Sequence, residues 1–233
     1  AQLDVPTRRL LEVVALSGEP IERSVARTAA ALGEQMRLPI ATLRSEHLIR
    51  MREIGGDECI EPYHDRIRQA VLRGVSSQDA ARLHRQLAVA LEQSGQAAPE
   101  RIATHLAGAG AFERAAELML VAARSATEAL AFDHAASLLR QVLELRDRQS
   151  GSRAHDRREL LCELADALVE AGKGAEAADV YISAARGANE DTAFELKRRA
   201  ADQLLMAGHM ERGREVLAAL LSNVGLRLPT SHW

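Results

Sequence analysis

His64 and Asp65 follow Tyr63 where a short glycine-bearing stretch gives way to helical spacing, and this pair is the best placed for chemistry in the chain. A helix N-terminus carries unpaired N–H groups and the positive end of the helix dipole, which together favour an anion such as a phosphate. An imidazole there adds one donor. A plainer reading fits the same two residues: Asp65 caps the helix and His64 packs beside the strands before it. The other histidines, among them His84, His105, His134, His155 and His209, stand at no metal-ligand spacing. His105 and His134 therefore read as packed or hydrogen-bonded side chains. Glu159, Glu163, Asp166 and Glu170 recur at helical spacing and read as a solvated acidic face. No clustered acid, base, nucleophile or metal set is visible, so the site expectation is no catalytic residue and no metal ligand.

Motifs for nucleotide chemistry are absent as well. Gly172-Lys173-Gly174 lacks the preceding glycine and the following Ser or Thr of a GxxxxGK(S/T) phosphate loop. There is no glycine-rich kinase loop, no HRD-type loop and no DFG. Cys59 and Cys162 form no CxxC or Cys/His cluster and read as reduced thiols of a cytoplasmic protein. The net charge of −3, from 30 basic and 33 acidic residues, argues against a general electrostatic grip on nucleic acid or an anionic membrane. No apolar run approaches the roughly 20 residues that span a bilayer. The opening Ala1-Gln2-Leu3-Asp4 has no initiator methionine and reads as the start of a piece of a longer protein.

The elements that must position these residues are mainly helical. Pro6 suits a first helical turn, and Leu10, Leu11, Val13, Val14 and Leu16 form an apolar face ending at Gly18. A second helix follows Pro20, with Ile21, Val25, Ala26, Ala29 and Leu32, and stops at Gly33. A third, Pro39 to Leu48, buries Ile40, Leu43 and either His47 or Leu48. Ile49 to Glu53 and Glu58 to Glu61 alternate as strands around Gly55-Gly56, a pair able to take the positive φ of a tight hairpin. Three helices followed by a hairpin make a winged helix, placed at residues 1–75. Such a unit can read DNA through its third helix. Here Arg37 and Arg44 stand beside Glu46, and Arg50 and Arg52 beside Glu53, Asp57 and Glu58, a weak concentration of positive charge for that task.

Residues 76–233 read as helical hairpins, opened by Ser76 or Ser77 as N-cap and truncated at the C-terminus. Aligned on Gly110, Gly172 and Gly208, small residues recur five positions later (Ala115, Ala177, Gly213) and seven earlier (Ala103, Ala165, Ala201). Large residues recur four earlier (Leu106, Leu168, Leu204) and nine later (Met119, Tyr181, Leu217), the last acting as core plugs. The pattern resembles the tetratricopeptide repeat, best from Leu161 to Ala184, although Asn189 stands where a closing proline is usual. The spacing of 36 from Gly172 to Gly208 is near the usual repeat. The spacing of 62 from Gly110 to Gly172 implies that an irregular helix, about Phe132 to Arg146, interrupts the series, with Asp147 to Arg153 as a loop.

Taken whole, the chain resembles the region after the NTPase core in signal-transduction ATPases of the STAND class. More narrowly, it resembles bacterial serine/threonine protein kinases fused to such an ATPase. The phrases that carry this are Leu10 to Pro20, Tyr63 to Arg68, Leu130 to Ala136 and Gly225 to Pro229. The resemblance implies a non-catalytic regulatory segment, with ATP or ADP and Mg bound by the parent protein and not by this piece. It implies an upstream NTPase core and a protein or peptide in the repeat groove as partners. It also implies that His64 and Asp65 match the Met-His-Asp motif of related nucleotide-switch ATPases, whose histidine contacts the bound diphosphate; Tyr63 replaces the methionine. A DNA-binding segment of a repeat-containing transcriptional regulator is the alternative expectation.

Overall fold

The computed structural model describes residues 3–33, 36–148, 154–223 and 225–226. It is mainly helical, with one small sheet, and divides into two compact units, Ala1–Leu118 and Met119–Trp233.

The first unit opens with three helices, a two-residue strand and a hairpin. Helix α1 (Val5–Leu16) is N-capped by Asp4, whose carboxylate accepts from the Thr7 N–H at 2.9 Å. Strand β1 (Ile21–Glu22) leads directly into α2 (Arg23–Ala30). Helix α3 (Arg37–Ser45) then precedes the hairpin β2 (Ile49–Ile54) and β3 (Asp57–Pro62). All pairings are antiparallel, in the order β1-β3-β2, with Ile21 opposite Ile60 and Met51 opposite Ile60 on the other side. The hairpin turns on Gly55 and Gly56, at φ 62° and 93°, a two-residue turn in which only glycine is free of strain at both positions. Two details differ from the sequence reading. Ile21 belongs to a two-residue strand and not to the second helix, too short a strand to show alternation. Of the pair His47 and Leu48, it is Leu48 that packs on the core, because His47 takes a positive φ that turns it outward.

The core joins Leu10, Val14, Ile21, Leu43, Ile49 and Ile60, all within 2% of complete burial. Each such side chain contributes about 1.5–3 kcal/mol relative to an exposed one. The helix after the hairpin, α4 (Asp65–Gly74), buries no residue fully, and only Ile67 and Val71 reach the core. Helix α5 (Ser77–Ser94) is capped by Ser76, and its Leu83, Leu87 and Leu91 complete that same core by packing along α2. The expected division at residue 75 thus has a helix beyond it whose apolar face belongs to the first unit. Helix α6 (Pro99–Gly108) packs on α5, and Arg101 donates to the Pro20 carbonyl at 3.0 Å.

Helical hairpins make up the second unit. Its elements are α7 (Phe112–Glu128, within which the division falls), α8 (Phe132–Asp147), α9 (Ala154–Glu170), α10 (Gly174–Ala184), α11 (Glu190–Met206) and α12 (Met210–Asn223). The turn glycines behave as the alignment requires. Gly110, Gly172 and Gly208 have φ of 80°, 73° and 82°. Each turn closes with the same two bonds of a Schellman motif, illustrated by Lys173 N–H to Leu168 O at 2.8 Å and Gly172 N–H to Val169 O at 2.9 Å. Asn189, in place of the usual proline, caps α11 by accepting from the Thr192 N–H at 2.9 Å. Gly213 is required by contact: a Cβ there would lie 2.7 Å from the Leu205 side chain.

No irregular helix interrupts the series between Gly110 and Gly172 among the described residues. Helix α8 is regular, and the α7–α8 turn closes with Ala131 N–H to Ala126 O at 2.8 Å and Leu130 N–H to Thr127 O at 2.9 Å. It is the same turn with Leu130, at φ 59°, where the others have glycine. Aligned on Leu130, Ala123, Ala126, Ala135 and Leu139 fall at the small and large positions of the other hairpins, and all are buried. Residues Gln149 to Arg153 of the expected loop, and Arg227 to Pro229 of the closing phrase, lie outside the described residues. Leu130 is 73% exposed, so its side chain repays little of the left-handed strain. Leu130→Gly is therefore expected to stabilise the chain by about 1 kcal/mol, read as a higher urea midpoint with unchanged slope.

Candidate functional site

His64 and Asp65 sit where the sequence places them, at the start of α4, but Asp65 does not form the side-chain cap expected of it. His64 is itself the N-cap residue, with extended backbone (φ −143°, ψ 150°) and no capping bond from its ring. Asp65 lies in the first turn and is directed along the helix, accepting from Gln69 Nε2 at 2.6 Å and pairing with Arg68 at 3.4 Å. The ring of His64 meets Tyr63 edge-on at 5.0 Å, and Tyr63 meets His47 at 5.7 Å. This exposed ring cluster joins α4 to the end of α3. The pair thus offers one free imidazole at a helix N-terminus, while the carboxylate beside it is engaged by its own helix.

The acids of the β2–β3 hairpin engage the cations around them. Glu61, on the central strand and nearly buried, accepts from Arg50 Nε at 2.7 Å and lies 3.6 Å from Arg52. Arg23 pairs with Glu58 at 2.8 Å. A phosphate backbone would have to compete with these pairs, which leaves Arg37 and Arg44 as the cations of α3.

The second unit presents a more developed feature. Two hollows flank α9, and the repeat alignment shows them to be equivalent. The first, of about 370 Å³, is bounded by Arg124, Thr127 and Glu128 of α7 and by Glu163, Asp166, Ala167 and Glu170 of α9. Phe132 and Leu139 of α8 form its floor. The second, of about 220 Å³, is bounded by Asp166, Val169 and Glu170 of α9 and by Arg199, Asp202 and Gln203 of α11, with Tyr181 of α10 at its base. Counted back from Leu130, Gly172 and Gly208, the lining residues occupy the same positions: Arg124, Asp166 and Asp202 six before the turn, and Glu128 and Glu170 two before. Leu139 and Tyr181 both stand nine after it. The plug that fills each hairpin therefore also forms the base of the hollow beside it.

The two hollows differ in polarity for a physical reason. Tyr181 is buried but its hydroxyl donates to Asp166, and Arg199 lies 3.6 Å from the same carboxylate. Burial, then the Asp166 hydrogen bond and charge, push the Tyr181 phenol up to about 12, so it stays a donor throughout the working pH range. In the first hollow the plug is Leu139, and the base is apolar. Arg124 is engaged by Glu163 at 3.0 Å. No hydrogen bond or ion pair engages Glu128 or Glu170 among the described residues. The acidic face expected at Glu159, Glu163, Asp166 and Glu170 is thus in part the wall of a groove, which a pattern of core positions does not reveal.

One further pair was missed by spacing alone. His84 on α5 and His105 on α6 approach Nδ1 to Nδ1 at 2.9 Å, so one ring donates and the other accepts. His105 is 2% exposed, and the His84 ring packs so close to α6 that a Cβ on Gly108 would lie 2.5 Å from it. Burial, with His84 and Arg101 adding to it, pushes His105 down to about 4, and burial lowers His84 as well. His105 is the hydrogen-bonded side chain expected of it. Among the described residues no group of three or more His, Cys, Asp or Glu is arranged to hold a metal. Cys59 and Cys162 are free thiols, both pushed up chiefly by burial. Among the described residues no helix is long and apolar enough to cross a membrane.

No protein-family profile and no curated protein matches the sequence. The fold is similar to the crystal structure of a STAND protein with a tetratricopeptide repeat sensor from Pyrococcus horikoshii, at 18% identity and a TM-score of 0.53. That likeness covers 96% of this chain and 33% of the other, so the chain spans about a third of the length of the protein it matches. A putative kinesin light chain with nearly identical TPR-like repeats from Podosopora anserina is similar over 78% of this chain and 94% of its own, at 15% identity and a TM-score of 0.36, too low to establish a shared fold.

Proposed function

We propose that this chain is a regulatory and protein-interaction segment of a larger signalling protein and carries out no catalysis itself. In this reading the parent is a serine/threonine protein kinase joined to a STAND ATPase, of bacterial type. The three-helix and hairpin unit packs on an upstream NTPase core and reports its nucleotide state, while the repeats hold a protein partner. The observation that carries the interaction role is the pair of repeat-equivalent hollows flanking α9, walled by side chains that the core does not use. The likeness of fold, over 96% of this chain, to a STAND protein with a tetratricopeptide repeat sensor supports the context.

His64 fits a diphosphate only in part. Its ring supplies one donor beside the first turn of α4, but Asp65 sets a carboxylate next to it, turned toward Arg68 and Gln69. His64 would contact the nucleotide held by the upstream core, which supplies the remaining donors and the Mg.

The interaction role is tested by capturing binding proteins on the full chain and on its Thr127→Arg variant. Thr127 lies exposed at the rim of the first hollow, so arginine there blocks the groove without entering a core. Proteins held by the wild type should be lost from the variant with helical content unchanged. Identical sets of bound proteins would overturn the proposal.

A further inference from the structure

We infer that the hollow between α7 and α9 takes a linear peptide segment carrying a lysine or arginine beside an apolar residue. This deepens the interaction reading and rests on it. The base of the hollow, Phe132 and Leu139, is apolar, and its volume of about 370 Å³ admits a large side chain. The rim and the adjoining repeat-equivalent hollow carry five carboxylates, Glu128, Glu163, Asp166, Glu170 and Asp202, against two guanidiniums, Arg124 and Arg199. Both guanidiniums are already engaged, Arg124 by Glu163 at 3.0 Å and Arg199 by Asp166 at 3.6 Å and Glu195 at 3.3 Å. Asp202 pairs with Arg198 at 2.6 Å, so among the described residues the free acceptors are Glu128 and Glu170, which project from successive repeats at the same position before their turns.

An acidic or neutral peptide would leave those two carboxylates unpaired at the interface, whereas a long cationic side chain lays its methylene stem on an apolar base and its charge at the rim. The second hollow cannot substitute. Its base is the Tyr181 hydroxyl, committed to Asp166, so of these two hollows it is the one between α7 and α9 that combines the apolar contact with the open carboxylates.

Selection of a random peptide library against the full chain tests this, followed by titration of the selected peptides into the wild type, Glu128→Gln/Glu170→Gln and Thr127→Arg. Both glutamates are exposed, so the double variant should melt like the wild type. The expected result is a selected motif with a basic residue next to an apolar one. Its affinity should fall about fivefold to tenfold in the double variant, weaken with salt, and be lost in Thr127→Arg. Groove-bound peptides that are acidic, or basic ones indifferent to the double substitution, would overturn the partner class while leaving the interaction reading in place. Failure of every selected peptide to respond to Thr127→Arg would overturn both. Self-association of the chain that the double variant abolishes would assign the groove to a second copy and also overturn the inference.

Discussion

Leu168→Ala is expected to destabilise the chain by about 3–5 kcal/mol, measured by urea unfolding of the full chain followed by circular dichroism. Leu168 is completely buried on α9, a helix packed on one side by α8 and on the other by α10. It stands four residues before the turn glycine, and its carbonyl accepts the Lys173 N–H that closes the turn. Because regular helices border the cavity on both sides, the gap left by truncation cannot collapse freely, which places the cost toward the upper part of the range. Met206→Ala supplies the contrast. It lies two residues before Gly208 with 82% of its surface exposed, so its removal should change stability by no more than about 0.5 kcal/mol. A cost at Leu168 as small as that at Met206 would refute the hairpin core described above.

Acidification from pH 6.5 to 4 is expected to remove about 3 kcal/mol of stability through the His84–His105 pair. His105 titrates at about 4 when folded and at the ordinary 6.5 when unfolded, so between these values the unfolded chain binds more protons. Stability is therefore full above pH 6.5, declines as pH falls toward 4, and levels off below. The carboxylates of Asp79, held below its ordinary value by the Ser76 hydroxyl and Arg82, and of Asp4, held down by Thr7, act in a separate and lower window. His105→Leu removes the buried base and should flatten most of the slope between pH 6.5 and 4 in denaturant titrations. A slope unchanged by that substitution would show that the pair does not control it.

Much of the architecture was legible because its signals are local. The Gly55-Gly56 turn between alternating strands, the cap at Ser76 and the small residues at Ala103, Ala165 and Ala201 each declare a backbone requirement within a few positions. Leu130 concealed a hairpin because the turn depends on a backbone conformation, which glycine favours but does not monopolise. Strand β1 was lost because two residues carry no period. The candidate site was less legible. Repeat signatures record the residues that fill hairpins, and the groove is walled by those left over. His84 and His105 lie 21 residues apart on different helices, and no motif spacing connects them. The hydroxyl of Tyr181 shows the same limit: its ring was readable as a plug, its partner Asp166 was not.

The two units differ in how far along the chain their partners lie, and this sets the order in which a nascent chain can complete them. From α9 onward, neighbours in sequence are neighbours in space, so each helix finds its partner soon after leaving the ribosome. Ile21 must instead wait for Ile60, and their shared core for Leu83, Leu87 and Leu91. Until then Leu10, Val14 and Ile21 stay uncovered, and a holdase that shields apolar segments has most to do while the stretch from Leu10 to Leu91 is being made.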